Sequence, residues 1–326
     1  MPLVSVICPV FNTDAAMLRA AAASVLSQEG AELELLLVDD GTTSPTTLEA
    51  LSELAADPRV RFLRNPQNLG PAGTRNAGIR AARGSLIGFI DADDLWAEGS
   101  LAARLAAPAA PGDCILGAFR ELLPGNQTKM AWPLRLEDGG EPLGDGWYAW
   151  SPSHAAPALI AEWRHIGCLL APKEALEEVG LFDETLLYGE DWLLMVRLAA
   201  ARRMIVSEKP IYVLRRQHES MMTRRDRLTR AFSKAQEKAY SDRSLRPFRK
   251  HLRWAVVRQY KGMAVNSLAN DVPLNGVRCA LLAWRMDPRE LPQLLTFLRA
   301  AATRDPQRRT ETARRYCNAV VTPGLA

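Results

Sequence analysis

The first 98 residues alternate apolar runs of strand length with helix-forming stretches, joined by connections of only a few residues. Val4 to Val10 is apolar and rich in β-branched residues, the pattern of a strand buried on both faces. Ala15 to Gln28 carries Leu18, Ala22, Val25 and Leu26 at helical spacing, with Thr13 or Asp14 placed to cap it. Leu33 to Val38 reads as a second strand, Pro45 to Ala56 as a second helix and Val60 to Leu63 as a third strand. Ala72 to Ala82 reads as a third helix and Leu86 to Ile90 as a fourth strand. This alternation specifies the α/β class, with a mainly parallel sheet covered by helices on both faces. Ligands of such sheets bind beyond the carboxyl ends of the strands, near a switch in strand order.

Those strand ends are loaded with polar chemistry. The first runs into Pro9-Val10-Phe11-Asn12, the second into Asp39-Asp40-Gly41, the fourth into Asp91-Ala92-Asp93-Asp94. Five carboxylates along one rim repel one another unless a cation sits among them. Hard divalent cations take oxygen ligands, and one or two carboxylates plus substrate phosphates make a usual magnesium site. A D-x-D triplet alone is weak evidence, because many such triplets are caps or turns. Its position at the end of a buried strand points to a metal–diphosphate site.

The length of 326 residues allows one main domain and a smaller appended one. No run of about 18 uncharged apolar residues occurs, so no transmembrane helix is expected, and the start of the chain lacks the basic stretch of a secretory signal. Cys8, Cys114, Cys168, Cys279 and Cys317 are odd in number and far apart, which argues against a disulfide framework or a structural zinc site and fits reduced thiols in the cytoplasm. Charge is unevenly spread. From Arg202 onward there are 27 Lys and Arg against 10 Asp and Glu, a net of +17, and the preceding residues carry −13. A basic C-terminal part suits an anionic membrane surface, a phosphorylated acceptor or an acidic subunit, and equally a plain solvated face of arginine-rich helices.

Residues 120–165 are rich in Gly, Pro and Trp and poor in periodicity, which reads as a long insertion at the site edge, either a lid or a satellite core around Trp132, Trp147, Trp150 and Trp163. Glu174 to Val179 is helical and stops at Gly180. Gly189-Glu190-Asp191 leads into a helix over Trp192 to Ala201, where the two carboxylates serve either as favourable first-turn charges or as site residues. Ile205 to Leu214 reads as a last strand. From about Leu228 the pattern is helical, with breaks expected at Pro247, Pro273, Pro288, Pro292 and Pro306. Trp254, Val257, Tyr260, Ala264 and Leu268 form a stripe that would face a membrane, the core or a partner subunit.

Five segments in order resemble family 2 glycosyltransferases: Val4 to Asn12, Val38-Asp39-Asp40-Gly41-Thr42, Asn68 to Gly78, Asp91 to Asp94, and the pair Gly180-Leu181-Phe182-Asp183-Glu184 with Gly189-Glu190-Asp191-Trp192. The similarity spans about residues 3 to 220. It implies a GT-A fold over 1–225, with a nucleotide-sugar half (1–98) and an acceptor half (99–225) holding the 120–165 insertion, followed by a basic helical region over 226–326. It further implies an inverting transfer from a nucleotide diphosphosugar, with uracil the expected base, to a hydroxyl of a glycan, glycolipid or cell-surface polymer precursor, the acceptor partner being a glycan or lipid-linked one. Pro9, Phe11 and Asn12 would floor the base and ribose, and Asp40, with Asp39, would accept from the uracil ring. Arg75 would sit near the base and its aspartate. Asp93 would face the ribose, sugar or metal; Asp91, Asp93, Asp94 and His218 would surround a divalent cation, Mn²⁺ or Mg²⁺; and Asp191 would be the base, with Glu190 second. The Q-x-x-R-W motif of processive synthases is missing around Leu252-Arg253-Trp254. The expected location is cytoplasmic, extending to peripheral association at the inner face of the membrane, with no specific nucleic acid partner and a homo-oligomer through the C-terminal helices as a further expectation. Two rivals are a sugar-phosphate nucleotidyltransferase, which would want a glycine-rich loop where Pro9 to Asn12 stands, and a nucleic-acid-binding protein acting through the basic tail.

Overall fold

The computed structural model describes residues 2–125, 127–131, 140–216, 225–269 and 273–302. The chain divides into two compact units, Met1–Thr223 and Arg224–Ala326.

The first unit begins with β1 (Leu3–Val10), α1 (Ala15–Leu26), β2 (Glu32–Asp39), α2 (Pro45–Leu54), β3 (Val60–Arg64), α3 (Gly70–Ala81) and β4 (Leu86–Phe89). Strand β1 pairs in parallel with β2 and β4, and β2 pairs in parallel with β3. Val4, Val6, Ile7, Cys8 and Val10 are buried, as a strand covered on both faces requires. Asp14 caps α1 by accepting from the N–H groups of Ala16 and Met17. Ser44 caps α2, whose first residue is Pro45. The parallel register sets Val10 beside Asp39 and Ile7 beside Phe89, so the loaded ends of β1, β2 and β4 emerge on one rim.

The chain continues through β5 (Leu95–Trp96), α4 (Ser100–Leu105), β6 (Cys114–Leu123), β7 (Gln127–Ala131), β8 (Glu141–Gly144), β9 (Trp147–Trp150), α5 (Pro152–Ala161), β10 (Leu169–Pro172), α6 (Lys173–Glu178), α7 (Glu190–Ala201) and β11 (Met204–Arg215). The eleven strands of the described residues join one sheet, in the order β3-β2-β1-β4-β10-β6-β11-β9-β8, with β5 on β11 and β7 on β6. The mainly parallel expectation describes the first half only. Strand β10 runs antiparallel to both β4 and β6, and β5, β7, β8 and β9 all pair antiparallel, so the whole sheet is mixed. The 120–165 region is more regular than its composition suggests: its described residues form strands, a helix and a turn at Asp145, where φ is 52° between two positive-φ glycines. Trp147 and Trp150 are buried, as core side chains should be; Trp132 lies outside the described residues.

The second unit holds α8 (Arg225–Ser241), α9 (Arg249–Ala269), α10 (Pro273–Met286) and α11 (Leu291–Ala302). Pro247 and Pro288 sit in 3-10 turns and Pro273 starts α10, but Pro292 falls in the first turn of α11, where its missing N–H costs nothing; Pro306 lies outside the described residues. Of the α9 stripe, Val257, Tyr260, Ala264 and Leu268 are buried in the core of this unit. Those four positions therefore form an inner face and are not available to a membrane, and Trp254 is half-buried. Among the described residues no helix is long and apolar enough to cross one. Cys8, Cys114, Cys168 and Cys279 are buried free thiols; Cys317 lies outside the described residues.

Candidate active site

The D-x-D turn begins where β4 leaves the sheet. Asp94 is almost fully buried; its carboxylate accepts from the Tyr212 hydroxyl at 2.8 Å and from the Arg215 N–H at 2.8 Å. His165 Nε2 lies 3.4 Å from Asp91 Oδ2 and 3.7 Å from Asp94 Oδ2, and its ring stacks on Tyr212 with centroids 4.6 Å apart. Asp91, Asp94 and His165 thus present three donor atoms within 4.8 Å of one another. Burial pushes the Asp94 carboxyl up to about 7, with Asp93 and Asp91 adding to it and His165 opposing. Asp91 is held well below the usual carboxylate range: burial works against this, but Arg75 and His165 outweigh it. One buried and one half-buried carboxylate, the buried one raised so far, make a set that would gain from a cation, and each oxygen keeps a second lone pair for it.

His165 fits the set as a donor rather than as a ligand. Its Nδ1 accepts the Gly167 N–H at 3.1 Å. Assigned from that partner, the neutral ring carries its proton on Nε2, aimed at Asp91 and Asp94. Nε2 has a lone pair for a metal only if the Gly167 bond is given up. Gly167 is required here because a Cβ would lie 2.1 Å from the Tyr212 ring. Gly167→Ala is expected to destabilise the protein by about 1–3 kcal/mol through overpacking and to push His165 off Tyr212, read as a lowered Tm together with lost activity.

Arg75, on α3, ties this turn to the second half of the site. Its Nη2 donates to Asp91 Oδ1 at 2.8 Å and its Nη1 to Glu190 Oε1 at 2.9 Å, with the guanidinium over the Phe182 ring. Arg75 is therefore engaged by the D-x-D turn and by α7. Asp40, the aspartate expected beside it, has other partners: Asn65 Nδ2 at 2.8 Å and the N–H groups of Leu69 at 2.8 Å and Gly70 at 2.9 Å. Asp40 thus caps α3, which has no side-chain cap at Leu69. Asp39 accepts from the Thr42 N–H at 2.8 Å and pairs with Arg64 at 3.1 Å. Asn12, with φ of 49°, accepts from the N–H groups of Thr43 and Ser44 at 2.9 Å each and stitches the β1 and β2 loops together. Beside it Phe11 is 53% exposed and Pro9 half-buried, leaving an aromatic face open at the rim. The Asp93 carbonyl accepts from Arg215 Nε, and its carboxylate is not one of the three clustered donors. His218 lies outside the described residues.

Gly189, with φ of 81°, turns the chain so that Glu190 and Asp191 occupy the first turn of α7. Asp191 accepts from the Trp163 indole N–H at 3.0 Å and from the Trp192 N–H at 2.7 Å. Burial pushes Asp191 above the usual carboxylate range, against the pull of Arg75 and His165 and of these two donors. Burial and the neighbouring Asp191 charge raise Glu190 too, against Arg75. The two differ in their partners: Glu190 is engaged by the Arg75 guanidinium, whereas Asp191 accepts from the neutral N–H donors of Trp163 and Trp192.

Residues 5–158 match the model of Glycosyl transferase family 2. The chain carries a family 2 glycosyltransferase domain. The succinoglycan biosynthesis protein ExoO of Rhizobium meliloti (strain 1021) is 31% identical over 225 residues, which cover 65% of this chain and 60% of that protein. An uncharacterized glycosyltransferase of Haemophilus influenzae is 38% identical over 105 residues, covering 32% of this chain and 42% of its own length. The Escherichia coli protein named UDP-Glc:alpha-D-GlcNAc-diphosphoundecaprenol beta-1,3-glucosyltransferase WfgD is 36% identical over 104 residues, covering 32% and 40%. The matched segments thus span from 40% to 60% of these relatives. Among solved structures, Staphylococcus aureus TarS 1-349 in complex with UDP-GlcNAc has a TM-score of 0.67 at 17% identity, covering 97% of this chain and 91% of that one. The mannosyltransferase PcManGT of Pyrobaculum calidifontis, in complex with GDP-Man and Mn²⁺, has a TM-score of 0.61 at 19% identity, covering 98% and 86%. These likenesses show the GT-A fold of the family 2 domain.

The motifs alone miss His165, Trp163, Tyr212 and Arg215. The one available signal is that Trp163-Arg164-His165 immediately precedes the apolar run Ile166 to Pro172. Strand β10 runs antiparallel to β4, so the residues before β10 arrive beside the end of β4, at the D-x-D turn. A four-residue buried strand carries no mark of its direction, which is why that placement stays hidden.

Proposed function

We propose that the chain transfers a glycosyl group from a nucleotide diphosphosugar, with uridine the expected nucleoside, to a hydroxyl of a glycan or lipid-linked acceptor, in one inverting displacement. The observation that carries this reading is the Arg75 bridge. It joins the carboxylate turn suited to a cation and diphosphate to the helix end that bears a carboxylate with raised proton affinity. The names of WfgD and of the TarS and PcManGT complexes support the donor class.

The chain's own groups divide the work as follows. Asp191 accepts the acceptor hydroxyl proton on a carboxylate oxygen as the new bond to the anomeric carbon forms. The bond from that carbon to the diphosphate oxygen breaks, and its electron pair leaves with the nucleoside diphosphate. Attack and departure on opposite faces invert the anomeric centre. Trp163 orients Asp191, and Arg75 fixes Glu190 and Asp91 so that the two halves keep their spacing. Asp91 and Asp94 would hold a Mn²⁺ or Mg²⁺ ion, with His165 donating to them. A divalent cation there supplies charge neutralisation for the leaving diphosphate. Phe11 offers its exposed ring to the base.

The pH dependence follows from the base. A carboxylate with a raised pKa keeps its proton to a higher pH, so kcat/KM should fall on the acid side at a pH above the ~3.9 of an ordinary Asp. Trp163→Phe removes a donor to the ionised form and should shift that limb further up, while lowering kcat/KM by about tenfold or more. A limb at the ordinary carboxylate value, unmoved in the variant, argues against Asp191 as base. Calorimetric binding of UDP with and without Mn²⁺ tests the donor site itself.

A further inference from the structure

The second unit exposes an apolar face on α10. Leu274 is 83%, Leu281 42% and Trp284 37% exposed. With Val277, Leu282 and Pro288 they line an open groove of about 690 Å³. These side chains share one groove on α10 rather than standing singly on the surface. Arg278 and Arg285 line the same groove, each one helical turn beyond a leucine of the stripe. The neighbouring carboxylates do not neutralise them: Asp287 pairs with Arg289 at 2.7 Å and Glu290 with Lys261 at 2.8 Å. Among the described residues neither Arg278 nor Arg285 has a carboxylate partner. The unit as a whole carries 22 Lys and Arg against 8 Asp and Glu.

Charge and apolarity together select the occupant. Nucleic acid would satisfy the arginines and leave Leu274, Leu281 and Trp284 in water. An apolar protein groove would cover the leucines and strand two guanidiniums. A bilayer with anionic headgroups answers both, taking Leu and Trp at the acyl boundary and Arg at the phosphates. We propose that the α10 face docks the protein on an anionic phospholipid surface. This rests on the second unit alone and is independent of the glycosyl-transfer reading.

The test is co-sedimentation of the full-length chain with vesicles of mixed phosphatidylglycerol and phosphatidylcholine, against vesicles of pure phosphatidylcholine. Binding to the mixed vesicles only, weakened by salt, is expected. Leu281→Glu with Trp284→Glu should lower that binding by about tenfold or more, as should Arg278→Glu with Arg285→Glu. Leu274→Glu, at the most exposed position, serves as the substitution least able to disturb the fold, and the far-UV spectrum and melting curve of each variant report folding. Failure to bind anionic vesicles overturns the proposal, and so does binding that all these variants retain. Self-association in sedimentation velocity that Leu281→Glu and Trp284→Glu abolish, without vesicle binding, overturns it in favour of an interface between copies.

Discussion

Asp191→Asn is expected to lower turnover by about 10²- to 10⁴-fold, the usual contribution of a positioned general base, while UDP binding with Mn²⁺ stays near that of the unaltered protein. The asparagine keeps one oxygen able to accept from Trp163, at the expense of the bond from the Trp192 N–H. What is lost is the capacity to take a proton. Glu190→Gln should behave differently. Its carboxylate neutralises Arg75 at 2.9 Å, so its loss should appear in stability and donor affinity ahead of turnover. If Asp191→Asn turned over normally while Glu190→Gln did not, the roles of the two neighbours would be exchanged. Single-turnover measurements with saturating donor separate these outcomes from effects on binding.

The second large effect is expected at Arg75. Arg75→Met keeps much of the side-chain volume and removes the charge that Asp91 and Glu190 share. Side-chain exposures of 7% for Arg75, 27% for Asp91 and 9% for Glu190 leave little water to screen the orphaned carboxylates. Removing one partner of such a buried set costs about 3–5 kcal/mol, which for a domain of this size should lower Tm by roughly 10 °C. Arg75→Lys should recover part of this, since one ammonium restores the charge but cannot match the fork that serves two carboxylates. Combining Arg75→Met with Glu190→Gln should cost less than the sum of the single changes, because it removes one stranded charge. A Tm unchanged in Arg75→Met would show that the bridge does not hold the site together.

The sequence carries most of the first half of this fold. Alternating strands and helices place β1, β2 and β4 side by side, and the carboxylates after β4 stand at the rim the pattern indicates. The pairing of Glu190 and Asp191 at a helix start is likewise visible, because Gly189 marks the turn. What stays hidden depends on direction and on long-range partners. The antiparallel run of β10 brings His165 and Trp163 to the site from a stretch that reads as an insertion. Arg75 reaches Glu190 across 115 positions of sequence, so no local pattern announces it. Asp40 has a structural task that its motif does not announce: its carboxylate accepts from Asn65 and from two N–H groups at the start of α3. In α9 the helical spacing is legible, and only packing shows that the stripe turns inward.

The most direct measurement is the anomalous scattering of crystals grown with Mn²⁺ and UDP. The account predicts one manganese peak against the Asp91 and Asp94 carboxylates, with the diphosphate beside it and the approach to its far side facing Asp191. Manganese and UDP bound elsewhere, or UDP bound at the rim with no ion at Asp91 and Asp94, would contradict it.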